Sequence, residues 1–415
     1  MESDMDVLVV GGGVIGVCSA YYLAKRGLKV ALIEKDEIAS GCSYGNGGLI
    51  VPSHAAPLAS PGALGDGLRW MLDPESPFYI KPRLSMDLLR WLLRFVAASR
   101  TRVMLQSLPV LRDLLFVSGD LYADLAANAG FDFGYAGDGS LWVCLSQERL
   151  EHEKKELELF KRFNIPARMV SREETLALEP ALLSSVAGGV FYSRDGHIDP
   201  QRFVVGLAEK ARGLGVQVWT KTEAMRFEMS HGQVDAVHTT RGVFRPKQVV
   251  LAAGSWSPTV AQSLNLRIPI QAAKGYSVTL ENPTIVPKLP LLLAEARTVV
   301  NPLGHALRIA GTLELAGMDF TFNTRRVEAI QRSSRAYLPG LEQARILEIW
   351  RGLRPCTPDG LPVVSRSEKY QNLVIAAGHA MLGMSLGPVT GKLVSQLVLG
   401  EQPDLDVTPL RSSRF

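Results

Sequence analysis

The stretch Asp6-Val-Leu-Val-Val-Gly-Gly-Gly-Val-Ile-Gly16 constrains this chain more than any other. Four apolar residues run into three consecutive glycines, and a segment with helical apolar spacing follows. Gly11, Gly13 and Gly16 carry the GxGxxG spacing. Between a strand and a helix, each glycine has a physical role. Gly11 permits the tight turn, Gly13 lets the backbone approach a pyrophosphate, and Gly16 lets helix and strand pack closely. Val14 and Ile15 open the helix, whose free N–H groups and positive end suit phosphate. A second strand over 28–33 ends at Glu34, 18 residues after Gly16. Glu34 is placed to accept hydrogen bonds from ribose hydroxyls, with Lys35 beside it. The unit reads as a right-handed βαβ crossover that holds a dinucleotide.

Residues 7–24 carry no charge, a length that a signal segment or a membrane span would share. Glu2, Asp4 and Asp6 stand where a signal would have basic residues, and the glycines break a spanning helix. Elsewhere the composition is globular. Of 415 residues, 47% are apolar and 21% charged, enough for two domains or for one domain inserted into another. The net charge of +4 is spread along the chain and gives no reason to expect nucleic acid. Cys18, Cys42, Cys144 and Cys356 are far apart and lack CxxC spacing, which argues for reduced thiols, a cytoplasmic compartment and no metal site.

The expected fold class is α/β, α+β overall: a Rossmann-like nucleotide-binding domain with an interleaved substrate-binding domain of mixed or antiparallel sheet plus helices. Residues 1–50, 196–260 and 346–415 are assigned to the first, and 51–195 and 261–345 to the second. Residues 51–82, rich in Pro and Gly, read as irregular. Helices are expected within 84–127 and over 148–164, 201–213, 324–336, 341–346 and 388–399. Asp199 and Pro200 cap and open the third of these. Short strands are expected within 131–145 and a meander over 225–250. Further strands are expected over 215–219, 269–280, 306–311 and 372–377.

Three later features favour a flavin over a nicotinamide dinucleotide. The first is a small-residue loop after the second strand, with Ser43, Asn46, Gly47 and Gly48, then Leu49. The second is the strand ending at Ala-Ala-Gly254, with Trp256 two residues on; Ala224, at the start of the meander, joins this set. The third is the turn Gly378-His379-Ala380-Met381-Leu382-Gly383-Met384 before the last helix. A helix end there would stabilise the negative charge of a reduced flavin.

Together these residues resemble the FAD-dependent D-amino-acid oxidase superfamily, most closely the small subunits of its bacterial D-amino-acid dehydrogenases. The likeness covers most of the chain. It includes "VGGGVIGVCSAYYLAKRG" with Glu34, "GCSYGNGGLIVPSHAAP", "KGYSVTL", "RGLRPCTPDGLPVV" and "NLVIAAGHAMLG". The resemblance implies FAD and oxidation of the CH–NH2 or CH–NH group of an amino acid. Hydride would pass from Cα to flavin N5, giving an imino acid and then a 2-oxo acid and ammonia. It also implies a quinone or other electron acceptor, and an oligomer is compatible with it. Arg354 matches the arginine that grips the substrate carboxylate, a task suited to a fixed, bidentate cation. Tyr276 is implied as a substrate neighbour and Lys274 as a weaker positioning residue. His379 is implied to be structural, and no side chain is assigned as a catalytic base.

Two departures from the pattern matter. Ala380 replaces a common glycine and is expected to keep a negative φ. His54 stands where an aromatic residue is usual. An imidazole facing the substrate would suit a hydroxyl, which opens a hydroxy-D-proline, proline-type or other secondary-amine dehydrogenase as an alternative; the other reading of His54 is a loop histidine on the surface or in a turn. An O2-using oxidase and an FAD-holding electron-transfer subunit of a larger complex remain open. The segment 84–96, with Trp91, Phe95, Arg90 and Arg94, reads either as a helix packed on the domain or as a peripheral contact with the inner face of the plasma membrane.

Overall fold

In the computed structural model, residues 5–61 and 75–415 are described. Glu2, Asp4 and the 62–74 part of the segment expected to be irregular lie outside them. The strand Val7–Val10 is buried throughout and lies inside a six-stranded sheet. It runs parallel to Val30–Ile33 on one side and Gln248–Leu251 on the other. Gln217–Trp219 extends the first side; Leu373–Ala377 and an antiparallel Val363–Arg366 extend the second. Unbroken apolar runs suit a sheet covered on both faces. Helices Val14–Lys25, Pro200–Gly213 and Gly387–Leu399 contribute to the core on one face. The antiparallel meander Ala224–Ser230, Gln233–Thr239 and Gly242–Phe244 covers the other through Phe227, Val237 and Phe244. The first and last helices approach closely, since a Cβ on Gly391 would stand 2.6 Å from the Cys18 backbone.

A nine-stranded mixed sheet forms the second layer system. Its long antiparallel part is Arg345–Cys356, Gln271–Glu281 and Ala306–Leu315. Tyr276, Val278 and Ile309 pack there with Val327 and Ile330 of the helix Thr324–Ser334, which Asn323 caps.

Pairing across the chain moves several expected boundaries. Residues 341–346 are not helical; from Arg345 onward they belong to a strand paired along its length with Gln271–Glu281. That strand, assigned from sequence to the nucleotide-binding side, is therefore part of the large sheet. Conversely, Leu264, Ile268 and Ile270 pack against the parallel sheet. The chain changes layers near residues 270 and 356, not at 260 and 345. Residues 84–127 form two helices, Met86–Ala98 and Thr101–Asn128. The second packs Leu108, Leu111 and Tyr122 into the core on the helical face of the parallel sheet. No helix among the described residues is long and apolar enough to cross a membrane.

Candidate active site

A cavity of about 590 Å³ opens between the two layer systems. Its nucleotide end is built by the first turn. Gly11 has φ +117°, and a Cβ there would stand 2.4 Å from the Ala252 carbonyl oxygen. A Cβ on Gly16 would fall 1.8 Å from the Gly11 carbonyl oxygen, so the turn closes only on glycine. The helix Val14–Lys25 starts at Gly13 with no side-chain cap of its own. Ser43 supplies one from a distance: its hydroxyl accepts the Val14 N–H at 2.9 Å. Glu34 accepts the Gly12 N–H at 2.7 Å through Oε2 and the Asp36 N–H at 2.9 Å through Oε1. Those bonds fix the carboxylate at the cavity wall. Lys35 stands 4.2 Å over the Trp256 ring, and both line the cavity with Ala224 and Gly254.

The small-residue loop is held by an arginine that sequence reasoning missed. Arg308 is buried, and its Nη1 donates to the Tyr44 and Asn46 carbonyls at 3.0 and 3.2 Å. Its Nε donates to the Thr279 hydroxyl at 3.2 Å. The available signal was a lone charge inside the apolar run "ALRIAG", which needs buried partners. Ser43, Asn46 and Gly47 line the cavity. Gly48 and Leu49 support them from outside the lining: Gly48 faces Asn301 and the Ile198 carbonyl, and Leu49 pairs with His197.

The other end rests on the large sheet. Arg354 and Tyr276 lie on adjacent strands, and both reach the cavity. Arg354 Nη1 donates to the Thr312 carbonyl at 2.7 Å. Thr312 has φ +62° at an irregularity in the strand pairing, which aims that carbonyl at the guanidinium. A Cβ on Gly275 would stand 1.9 Å from Arg354 Nη1, so the guanidinium occupies space that only glycine leaves. Among the described residues no carboxylate pairs with Arg354. Burial lowers its pKa, but a guanidinium stays charged.

Lys274 is different. It is buried, 3.6 Å from Glu314 and 3.2 Å from Asp319, and donates to the Thr321 carbonyl at 2.8 Å. It is not in the lining, so the weaker positioning role at the site is not where the fold puts it. Trp350 and Phe320, also missed, complete the wall. The Trp350 ring lies so close to Gly45 and Gly352 that a Cβ on either would be 2.0 Å from it. Phe320 stacks on Trp256 at 6.2 Å.

The glycine turn therefore meets, in one cavity, an arginine that no carboxylate of the described residues pairs with. The model of the FAD-dependent oxidoreductase family, DAO, matches residues 6–397. The chain belongs to that family. A D-amino acid dehydrogenase from Cereibacter sphaeroides (strain ATCC 17029 / ATH 2.4.9) is 32% identical over 99% of this chain and 95% of its own. One from Helicobacter pylori is 29% identical over 94% of each chain. Among solved structures, glycine oxidase from Geobacillus kaustophilus aligns with a TM-score of 0.80 at 24% identity over 99% of both chains. L-Proline dehydrogenase from P. horikoshii aligns at 0.78 and 22%, over 100% of this chain and 98% of that one. These two share the fold.

The C-terminal turn of this DAO-family chain closes the cavity with two surprises. His379 is buried, its Nε2 is 3.0 Å from the Thr390 hydroxyl, and burial pushes its pKa down to about 3. It lines the cavity with Gly383 and Met384, while Gly378 packs behind it on Thr357. Ala380, however, has φ +46° and not the expected negative value. The short 3-10 turn Ala380–Leu382 that follows carries Met381 outward, 47% exposed, and leaves Leu382 out of the lining.

His54 also departs from expectation. The Ser53 N–H and hydroxyl both donate to the buried Asp195, at 3.0 and 2.5 Å. That anchor turns His54 onto Trp142, ring centroids 5.7 Å apart, and toward Tyr192. His54 is absent from the lining, and its enclosure pushes its pKa down to about 4.

Proposed function

We propose that the protein dehydrogenates an amino acid held by Arg354, with the D configuration of its curated relatives' substrates as the first expectation. The observation that carries this reading is Arg354: a cation at the cavity wall, bonded to one backbone carbonyl and to no carboxylate. A guanidinium so placed binds a substrate carboxylate through two parallel hydrogen bonds.

The residues present fit FAD. Gly11, Gly13, Val14 and Ile15 line one end of the cavity at a helix N-terminus with no cap of its own, and Ser43, Asn46 and Gly47 line it beside them. They would hold the pyrophosphate, and Glu34 the ribose. Gly254, Trp256, His379, Gly383 and Met384 would line the rest. Bound FAD supplies the acceptor that takes hydride from Cα, leaving an imino acid that water converts to a 2-oxo acid and ammonia.

The chain's own groups orient and exclude water. Tyr276 accepts the Asn323 N–H at 3.2 Å and stacks on Phe322, which fixes its ring on the face of the strand opposite Arg354. Trp350 and Met384 shield the cavity. Burial pushes the Cys42 thiol up to about 12 and the Tyr276 hydroxyl upward, while His379 is held near 3. None of these three takes a proton near neutrality. The substrate ammonium therefore loses its proton to water, and orientation carries the rate. A quinone or other acceptor removes the electrons, and the protein works in the cytoplasm with a peripheral contact on the inner face of the membrane. With His54 outside the lining, no observation favours the hydroxyproline alternative.

The test is anaerobic bleaching of flavin-loaded protein by D- and L-amino acids, including the proline and hydroxyproline isomers. Bleaching by D-forms is expected. Arg354→Met should lower kcat/KM on the order of 100-fold, about 3 kcal/mol, mainly through KM. Undiminished bleaching of that variant would sink the carboxylate role. Silence with every amino acid would favour the electron-transfer role within a larger complex.

A further inference from the structure

The helix Met86–Ala98 has two apolar faces. Leu88, Trp91 and Phe95 face inward. Trp91 Nε1 donates to the Cys356 carbonyl at 3.0 Å, two residues beyond Arg354, and Trp91 stacks on Phe95 at 5.2 Å. This inner face packs against the back of the cavity wall, in one cluster with Ala273, Leu313 and Cys356. The outer face carries Met86, Leu89, Leu93 and Val96, each 49–63% exposed, at the spacing of one helical stripe. Leu84, in the turn before, is fully exposed. Buried packing already accounts for the inner residues; the outer stripe stays exposed and finds no partner among the described residues.

The charges around the stripe choose the partner. Residues 81–102 hold six basic side chains, Lys81, Arg83, Arg90, Arg94, Arg100 and Arg102, against one acidic one, Asp87. Lys81 is tied to Asp319, and Arg90 lies 3.7 Å from Asp87. Arg94 donates to the Phe415 main-chain oxygen at 3.5 Å and lies over its ring. Among the described residues no carboxylate pairs with Arg100 or Arg102. A second copy docked face to face would set like charges against each other. An apolar stripe set in a strongly basic segment, with Arg100 and Arg102 at its end, is complementary to anionic headgroups over an acyl layer.

We propose that this helix lies in the plane of an anionic lipid surface, with Leu84, Met86, Leu89, Leu93 and Val96 in the headgroup–acyl boundary and the arginines on headgroup phosphates. The inner face then holds the lipid-facing helix against the strand that bears Arg354. The inference deepens the peripheral contact proposed above and rests on it. Its test reads lipid binding, so its failure leaves the amino-acid reaction standing.

The experiment is co-sedimentation of the full-length, flavin-loaded protein with vesicles of phosphatidylcholine, alone or mixed with phosphatidylglycerol. Binding is expected to the mixed vesicles, to weaken with salt, and to be at least about tenfold weaker on phosphatidylcholine alone. Leu89→Ser with Leu93→Ser should lower binding about tenfold or more, with flavin absorbance and turnover of a soluble acceptor unchanged. Should that pair fail to fold, Arg100→Glu with Arg102→Glu carries the test, by loss of binding at low salt. Absence of binding to both vesicle types overturns the proposal, as does equal binding by the variants. A wild-type dimer that the serine pair turns into monomers in sedimentation velocity also overturns it, and makes the stripe an interface between copies.

Discussion

The two glycine turns that bracket the cavity meet the same need by different means. At the N-terminal turn the positive-φ residue is Gly11, and the space beside Gly16 is filled by the turn's own backbone. At the C-terminal turn Gly378 is followed by Ala380 at φ +46°. A left-handed alanine costs about 1 kcal/mol, so that turn must be held from outside. The holders are visible: a backbone bridge between Cys356 and His379, the His379–Thr390 bond, and the cluster of Trp91, Phe95 and Cys356 on which Ala380 packs. The first turn is set by its own residues; the second is imposed by its neighbours.

That difference can be tested at three strengths. Gly16→Ala should have the largest effect. Its methyl has no side chain to push aside, only the Gly11 carbonyl oxygen, so a loss of about 3 kcal/mol or more in denaturant unfolding and loss of bound flavin are expected. Wild-type stability in that variant would show that the first turn yields as readily as the second.

The second test is acid. His379 is neutral when folded, with a pKa of about 3 against 6.5 unfolded. A depressed pKa leaves its stabilising contribution fully present above pH 6.5. As pH falls from 6.5 toward 3, the unfolded chain takes up the proton first, and stability drops by about 1.4 kcal/mol per pH unit. Chemical denaturation at stepped pH should show that slope, and His379→Asn should flatten it. An unchanged slope would separate the His379 bond from the support of the C-terminal turn.

The smallest effect is expected from Ala380→Gly. Relief of the left-handed backbone should raise stability by about 0.5–1 kcal/mol, after the entropic cost of glycine in the unfolded chain. Thermal unfolding reads it directly. A lowered midpoint would mean that the methyl's packing on the Trp91 cluster outweighs the strain.

The same contrast explains what was legible in the sequence. Gly11, Gly13, Glu34, Ser43, Asn46 and Arg354 were readable because spacing or residue type states the chemistry, and all of them line the cavity. Arg308, Trp350 and Phe320 were not, because their roles depend on strands paired across the chain. Lys274 shows the limit from the other side. Residue type made it a candidate, and two carboxylates brought in by the 314–319 segment remove it from the cavity wall. His54 moved for a similar reason, since Asp195 reaches its neighbour Ser53 from 142 positions away.

The sequence by itself determined the strand–glycine turn–helix at the start of the chain and the presence of an arginine suited to a carboxylate. The GxGxxG spacing and the fixed charge on guanidinium are stated by residue type within a few positions, so they are read without their neighbours. Only the tertiary structure decided which cation stays free, which way His54 and Met381 point, where the chain passes between its layers, and that Ala380 is held left-handed. Those outcomes depend on long-range strand pairing and buried ion pairs, whose partners no local pattern names.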